Sequence, residues 1–206
     1  MAEGILIIGA GGHGKVIAEA LRRQGQVVLG FLDDAPQLSR QQVLGLPVLG
    51  ACQHWPTLAP EGLVIAIGSN TIRQRLAQQL AAHPQVPPWT RVVHPAATLA
   101  EAVQVGPGSV CLAGSIVGVD VVLGAHVILN TGATIDHDCT IGDFAHLAPG
   151  VHLAGGVTVG SGALIGIGAC VLPGCHIGEQ ATIGAGAVVT GDIPPGVVAK
   201  GIPARW

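Results

Sequence analysis

The sequence predicts a small α/β domain followed by an all-β parallel β-helix, and three observations predict that fold class. Every sixth residue from position 93 to position 189 is apolar, with no insertion to break the register. A glycine-rich turn, Gly9-Ala10-Gly11-Gly12-His13-Gly14-Lys15, separates an apolar run from an amphipathic one near the start of the chain. Between these two stretches, short apolar runs alternate with helical patterns, as they do in parallel α/β sheets. An unbroken six-residue period is the mark of a β-helix.

The elements follow in order. Ile5-Ile8 reads as a short buried strand, and residues 15–23 have the polar–apolar spacing of a helix. The glycine turn between them meets GxGxxG in a strand–turn–helix setting, where glycines admit a ligand to the backbone and a helix N-terminus favours negative charge. A second strand, 27–32, ends in the acidic pair Asp33-Asp34. The glycine turn also approaches a P-loop, but Val16 stands where a serine or threonine would bind magnesium, so a nucleoside triphosphatase is rejected. Residues 46–49 read as a strand, 52–58 as a short helix, 63–67 as a strand leading into Gly68-Ser69-Asn70, and 71–82 as a helix. Pro84-Gln85-Val86-Pro87-Pro88 has the composition of a linker. The expected division is a Rossmann-like domain over 1–83, a linker over 84–92 and the β-helix with its tail over 93–206. The first of these is half the size of a dinucleotide fold, which suits a mononucleotide or a nucleotide-sugar.

In the β-helix, each hexad supplies one short strand and one turn, and three hexads close a triangular coil. The residue four beyond each apolar position is usually small, as at Ser109, Ala133, Ala145, Ala163 and Ala181, and shares the narrow interior. Glycine often follows the apolar position, as at Gly106, Gly124, Gly142 and Gly160. These glycines are expected to supply turn conformations closed to other residues.

Composition narrows the function. Only 10% of residues are charged, so large faces are expected to be covered by other subunits of a homo-oligomer. A net charge of -3 without a basic cluster excludes nucleic acid as a partner, and no apolar run is long enough to span a membrane. Charge and an early glycine turn replace the apolar core of a signal peptide, which points to a cytoplasmic protein with reduced cysteines. Cys111, Cys139 and Cys175 occupy inward positions and read as small apolar filler.

One hexad departs from the pattern: Ile135-Asp136-His137-Asp138-Cys139-Thr140. A histidine between two carboxylates suits proton transfer near neutral pH, because a carboxylate can orient the ring and stabilise the imidazolium. Successive strand residues point in opposite directions, so a carboxylate reaches His137 only around a turn or from a neighbour. His146, His152 and His176 each take the last place of a hexad and could line an outer face, so a metal shared by neighbouring subunits, as in the β-helical carbonic anhydrases, is the second class of function to consider.

Taken together, the glycine turn, Asp33-Asp34, Ala66-Ile67-Gly68-Ser69-Asn70, Asn130-Thr131 through Asp136-His137-Asp138, and the closing Gly196-Val197-Val198-Ala199-Lys200-Gly201-Ile202-Pro203-Ala204 stand in the order of a known family. The chain resembles the sugar O-/N-acyltransferases of the left-handed β-helix superfamily, which include bacterial UDP-4-amino-sugar N-acetyltransferases and sialic acid O-acetyltransferases. The resemblance implies a left-handed coil, a homotrimer, and acetyl-CoA in grooves between adjacent β-helices, with no metal. It implies that His137 is the base and that Asp138 takes a place commonly held by glutamate in bacillosamine-pathway enzymes. It places nucleotide-sugar contacts at Gly11, Gly12, His13, Asp33, Asp34 and Gly68. Acetyl-CoA contacts fall at His146, Ile167 and Ala185, the last replacing a glycine. The expected reaction is acetyl transfer from acetyl-CoA to the 4-amino group of a UDP- or GDP-linked amino-deoxysugar. O-acetylation of a sialic acid or another glycan precursor, a metal protein and a non-catalytic nucleotide-sugar-binding scaffold are the alternatives.

Overall fold

The structure is a computed structural model that describes residues 4–206. The chain divides into two compact units, one ending at His94 and the other Pro95–Trp206.

The first unit contains β1 (Ile5–Ile8), α1 (Gly12–Arg23), β2 (Val28–Leu32), β3 (Gln42–Val43), β4 (Leu46–Gly50), α2 (Trp55–Leu58), β5 (Gly62–Ile65) and α3 (Asn70–Ala81). Its sheet has the order β3-β4-β2-β1-β5, parallel except for β3. All four residues of β1 are buried, as a central parallel strand requires. α1 packs Gly14, Ile17, Ala18 and Leu21 inward at helical spacing. The chain proceeds from β1 outward through β2 and β4, then returns to the other side of β1 as β5. The strand order therefore reverses between β1 and β5, and the crevice at their carboxyl ends is the ligand position of an open α/β sheet.

Local departures from the sequence reading have local causes. α1 begins at Gly12, three residues early, because Gly11 is extended (φ -76°, ψ -164°) and caps the helix within the glycine run. β3 was not expected. It pairs antiparallel with β4 through Leu44 and Gly45, both at positive φ, a hairpin geometry that leucine does not advertise. The expected helix over 52–58 begins as a 3-10 turn, Cys52–His54, before α2. Part of the expected linker belongs to the first unit: Leu63 N–H donates to Pro88 O (3.2 Å), and Thr90 N–H donates to Leu63 O (2.7 Å). Trp89 thereby pairs in parallel with Leu63, and the division between units falls after His94.

The second unit is the β-helix, with two-residue strands stacked on three faces. Face 1 runs through Thr98–Leu99, Ile116–Val117, Thr134–Ile135, His152–Leu153, Cys170–Val171 and Val188–Val189. Face 2 runs through Gln104–Val105, Val122–Leu123, Thr140–Ile141, Thr158–Val159 and His176–Ile177. Face 3 contains Val110–Cys111, Ile128–Leu129, His146–Leu147, Leu164–Ile165, Thr182–Ile183 and Val198–Ala199. Pairings such as Ile116↔Thr134↔His152 show that three hexads make one coil. The second residue of each strand points inward, and Ala133, Ala145, Ala163 and Ala181 fill the remaining space. Two small core residues are polar and satisfied: Ser109 Oγ donates to Gly124 O (2.7 Å), and Ser115 Oγ donates to Leu112 O (2.8 Å). Cys111, Cys139 and Cys175 are buried, as expected.

The glycines after the apolar positions do a different job from the one expected. The turn conformation with positive φ falls two residues later, as at Gly132 and Gly150, and is also adopted there by Asp120, His126, Asp138, Phe144 and Gln180. A Cβ at Gly142 would lie 2.6 Å from Ser161 N, and one at Gly106 would overlap Gly124 O. These glycines let consecutive coils stack backbone on backbone.

Candidate active site

Residues 136–138 form the turn between faces 1 and 2. Asp138 is in the left-handed region (φ 58°), and this carries its carboxylate back beside the preceding residue. His137 Nδ1 lies 2.7 Å from Asp138 Oδ2. An ionised carboxylate only accepts, so in the neutral ring Nδ1 carries the proton and Nε2 presents its lone pair. Asp136 has the other role: its Oδ1 accepts the His137 backbone N–H (2.8 Å) and pins the turn. The hydrogen bond to Asp138, then the charge of Asp136, raise the His137 pKa above the ordinary imidazole value. The group is exposed, so its ring is open to a substrate that must lose a proton.

The floor beneath the ring is Gly155, the equivalent residue one coil further on. A Cβ there would sit 2.5 Å from His137 Cε1 and 2.6 Å from Nε2. The sequence reading did not single out Gly155, although an 18-residue coil marks position 155 as the neighbour of 137. Behind the turn, the buried Cys139 thiol donates to Ala154 O (3.2 Å) and ties the same two coils together.

The residues expected to meet acetyl-CoA lie elsewhere on the prism. Ile167 and Ala185 are one coil apart and occupy equivalent exposed places in the turns from face 3 to face 1. His146 stands on face 3, where its Nε2 is 3.2 Å from Nδ2 of Asn130, a residue of the same line of turns. His137 and this group thus occupy the two edges that flank face 1. His146, His152 and His176 lie on three different faces. Thr134 Oγ1 is 2.8 Å from His152 Nδ1, and His176 Nδ1 is 3.5 Å from Asp192 Oδ1. Among the described residues, no group of three His, Cys, Asp or Glu side chains could hold a metal ion.

The residues expected to bind the nucleotide-sugar gather at the carboxyl ends of β1, β2 and β5, with the glycines dividing the work. Gly9 (φ 108°) has Ile67 and Ala66 against the space a Cβ would take, and Gly14 packs on Gly9 O. Gly11, Gly12 and Gly68 have no atom within 4 Å of that space, so their backbone is open to a ligand. His13 lies half-buried in the first turn of α1. Asp33 shapes the turn: its Oδ2 accepts the Ala10 N–H (2.8 Å) and its Oδ1 the Ala35 N–H (2.9 Å). Asp34 Oδ1 accepts the Cys52 N–H (2.8 Å). A cavity of about 410 Å³ opens beside the glycine turn, lined by Gly11, Gly12, Lys15, Gln41 and Gln42. Cys52 borders the next recess, and burial followed by the charge of Asp34 pushes its thiol pKa up to about 12.

Comparison with known proteins agrees with both halves. Residues 4–80 match the PglD N-terminal domain, and residues 156–191 match the bacterial transferase hexapeptide repeats. The structure of PerB from Caulobacter crescentus, in complex with CoA and GDP-perosamine, is 41% identical and superposes with a TM-score of 0.93 over 98% of this chain and 96% of that one. The acetyltransferase domain of PglB from Neisseria gonorrhoeae, in complex with acetyl coenzyme A, is 38% identical with a TM-score of 0.92 over 98% of each chain. The UDP-N-acetylbacillosamine N-acetyltransferase of Bacillus subtilis is 38% identical over 116 residues, a match that spans 54% of this chain and 52% of that protein. Likeness over the full length, and not in the repeats alone, decides the assignment: the chain belongs to the sugar N-acetyltransferases of the left-handed β-helix superfamily.

Proposed function

We propose that this protein transfers an acetyl group from acetyl-CoA to the 4-amino group of a nucleotide-linked amino-deoxysugar, with His137 as general base. The observation that carries the reading is the 2.7 Å contact from His137 Nδ1 to Asp138, which leaves Nε2 open on an exposed turn. When bound, acetyl-CoA supplies the activated acetyl group. Nε2 takes the proton that the sugar nitrogen loses as its amide bond forms and the thioester C–S bond breaks, while Asp138 holds the ring and stabilises the imidazolium. That proton then goes to the departing CoA thiolate, which leaves as the thiol. Asp136 keeps the turn closed and adds negative charge. An amine acceptor accords with the relatives, which are named for perosamine and bacillosamine.

The edge bearing Ile167 and Ala185 suits the cofactor. Ile167 exposes an apolar side chain, and Gly168 and Gly186 leave open space beside it for a pantetheine arm. A single prism cannot bring this edge to His137, because face 1 lies between them. In a homotrimer with face 1 turned to the threefold axis, the His137 edge of each β-helix meets the Ile167 edge of the next, a head-to-tail contact that closes on itself. The exposed Ile116 and Val119 on and beside face 1 suit such a contact. No helix among the described residues is long and apolar enough to cross a membrane, and five free cysteines accord with a cytoplasmic setting.

Thiol release from acetyl-CoA, measured against UDP- and GDP-linked 4-amino sugars and their 4-hydroxy counterparts, tests the reaction. Release and a product heavier by one acetyl group are expected with an amino sugar; release with hydroxy sugars alone would overturn the reading. Light scattering should report three chains, and an active monomer would remove the shared groove.

A further inference from the structure

We infer that Arg73 is a positioning residue for the nucleotide-sugar, fixing loop 67–70 at the carboxyl end of β5 so that the backbone of Gly68 meets the ligand. The inference rests on the functional reading above and adds a residue to it. Arg73 lies in the first turn of α3 and is 1% exposed; among the described residues no other Arg, Lys, Asp or Glu joins the buried set. Its guanidinium reaches the loop that leads into α3. Nη1 donates to Ile67 O (2.9 Å) and Gly68 O (3.3 Å), and Nη2 donates to Asn70 Oδ1 (2.9 Å). The Arg73 backbone N–H donates to Ser69 O (2.9 Å), so every residue of the loop is held by Arg73. Burying a cation is costly, and an apolar residue would pack this helix turn more cheaply. A planar fork of donors, by contrast, can span several acceptors at once, which a lysine ammonium cannot do in the same geometry.

The loop it holds borders the β1/β5 crevice. Gly68 and Ser69 are exposed, and the Cα of Gly68 faces open space. On the other side of the crevice, Gly9 brings β1 against Ala66 and Ile67. A displaced loop 67–70 would move one wall of the nucleotide site. Burial lowers the Arg73 pKa to about 10, so the clasp stays charged throughout the neutral range.

The test compares Arg73→Met and Arg73→Lys with wild type by steady-state kinetics on the intact protein at pH 6 to 9, alongside melting curves. The KM for the nucleotide-sugar should rise by about tenfold or more in the Met variant, as misplacement of a binding wall predicts, and by less in the Lys variant. The KM for acetyl-CoA and kcat at saturating sugar should stay within about twofold of wild type, and the effect should be flat with pH because the guanidinium does not titrate there. A merely structural role would lower the active fraction, and hence the apparent kcat, without moving KM. If the Met variant does not fold, the Lys variant carries the same comparison. A sugar KM within about twofold of wild type in the folded variants, too small for a misplaced wall, would overturn the assignment while the functional reading stands. A wild-type protein that turns over no nucleotide-linked amino sugar would overturn both.

Discussion

The glycine turn after β1 and the 136–138 turn of the β-helix present opposite materials to a ligand. At the first, side chains have been removed: Gly11 and Gly12 are open, and the nearby Asp33 spends both carboxylate oxygens on backbone N–H groups. At the second, three consecutive polar side chains project from one turn, stacked on a coil whose equivalent turn is Ala154, Gly155 and Gly156. Backbone contacts bind a shape and place it, whereas an imidazole with an oriented lone pair can also accept a proton. Substitutions in the first region should therefore act on KM for the sugar, and those in the second on kcat.

The largest effect is expected at His137. His137→Ala should lower kcat by about 10²–10⁴-fold, the usual contribution of a general base, with acetyl-CoA affinity nearly unchanged. Activity within about threefold of wild type would move the base elsewhere. Gly155→Ala comes next, because the new Cβ meets the imidazole and not backbone. The ring can swing away, so the melting temperature should hold while kcat falls by about 10–10²-fold, as displacement of a catalytic group predicts. Unchanged kcat would show that the floor is not needed. Asp138→Asn should cost about tenfold, since the amide still accepts from Nδ1 but no longer stabilises the imidazolium. The smallest effect is expected at Gly11→Ala: no atom crowds the new methyl, so stability and kcat should hold while the sugar KM rises about threefold, on the scale of one perturbed contact. A fall in kcat there would blur the division between the two regions.

The period-six apolar register made the β-helix legible in the sequence, because each inward residue has no alternative but the core. The GxGxxG turn was equally plain, since its first and third glycines answer steric demands of any strand–turn–helix unit. What stayed hidden depended on stacking. The role of Gly106 and Gly142 is set by the coil above, and local turn chemistry suggested a different one. Gly155 emerges only when positions are compared 18 residues apart. Which carboxylate orients His137 was undecidable from spacing, because Asp136 and Asp138 are both adjacent. Positive φ at Asp138 settles it, and that conformation is one that aspartate takes less readily than glycine. The β3–β4 hairpin escaped notice for the same reason, with Leu44 in a conformation leucine rarely adopts.

The central claim is that His137 is a base whose proton affinity is raised by its own turn, and the pH dependence of kcat/KM tests it most directly. A raised pKa means that Nε2 is protonated and inactive below it, so activity should be lost as pH falls and should rise to a plateau through an inflection above the ordinary imidazole value of about 6.5. Asp136→Asn removes one negative charge beside the ring without touching the Asp138 hydrogen bond, so the inflection should move down, towards that ordinary value. Profiles for wild type, Asp136→Asn and His137→Ala would be recorded together. The account predicts an inflection that shifts in the first variant and vanishes in the second; an inflection that stays in place in both would contradict it.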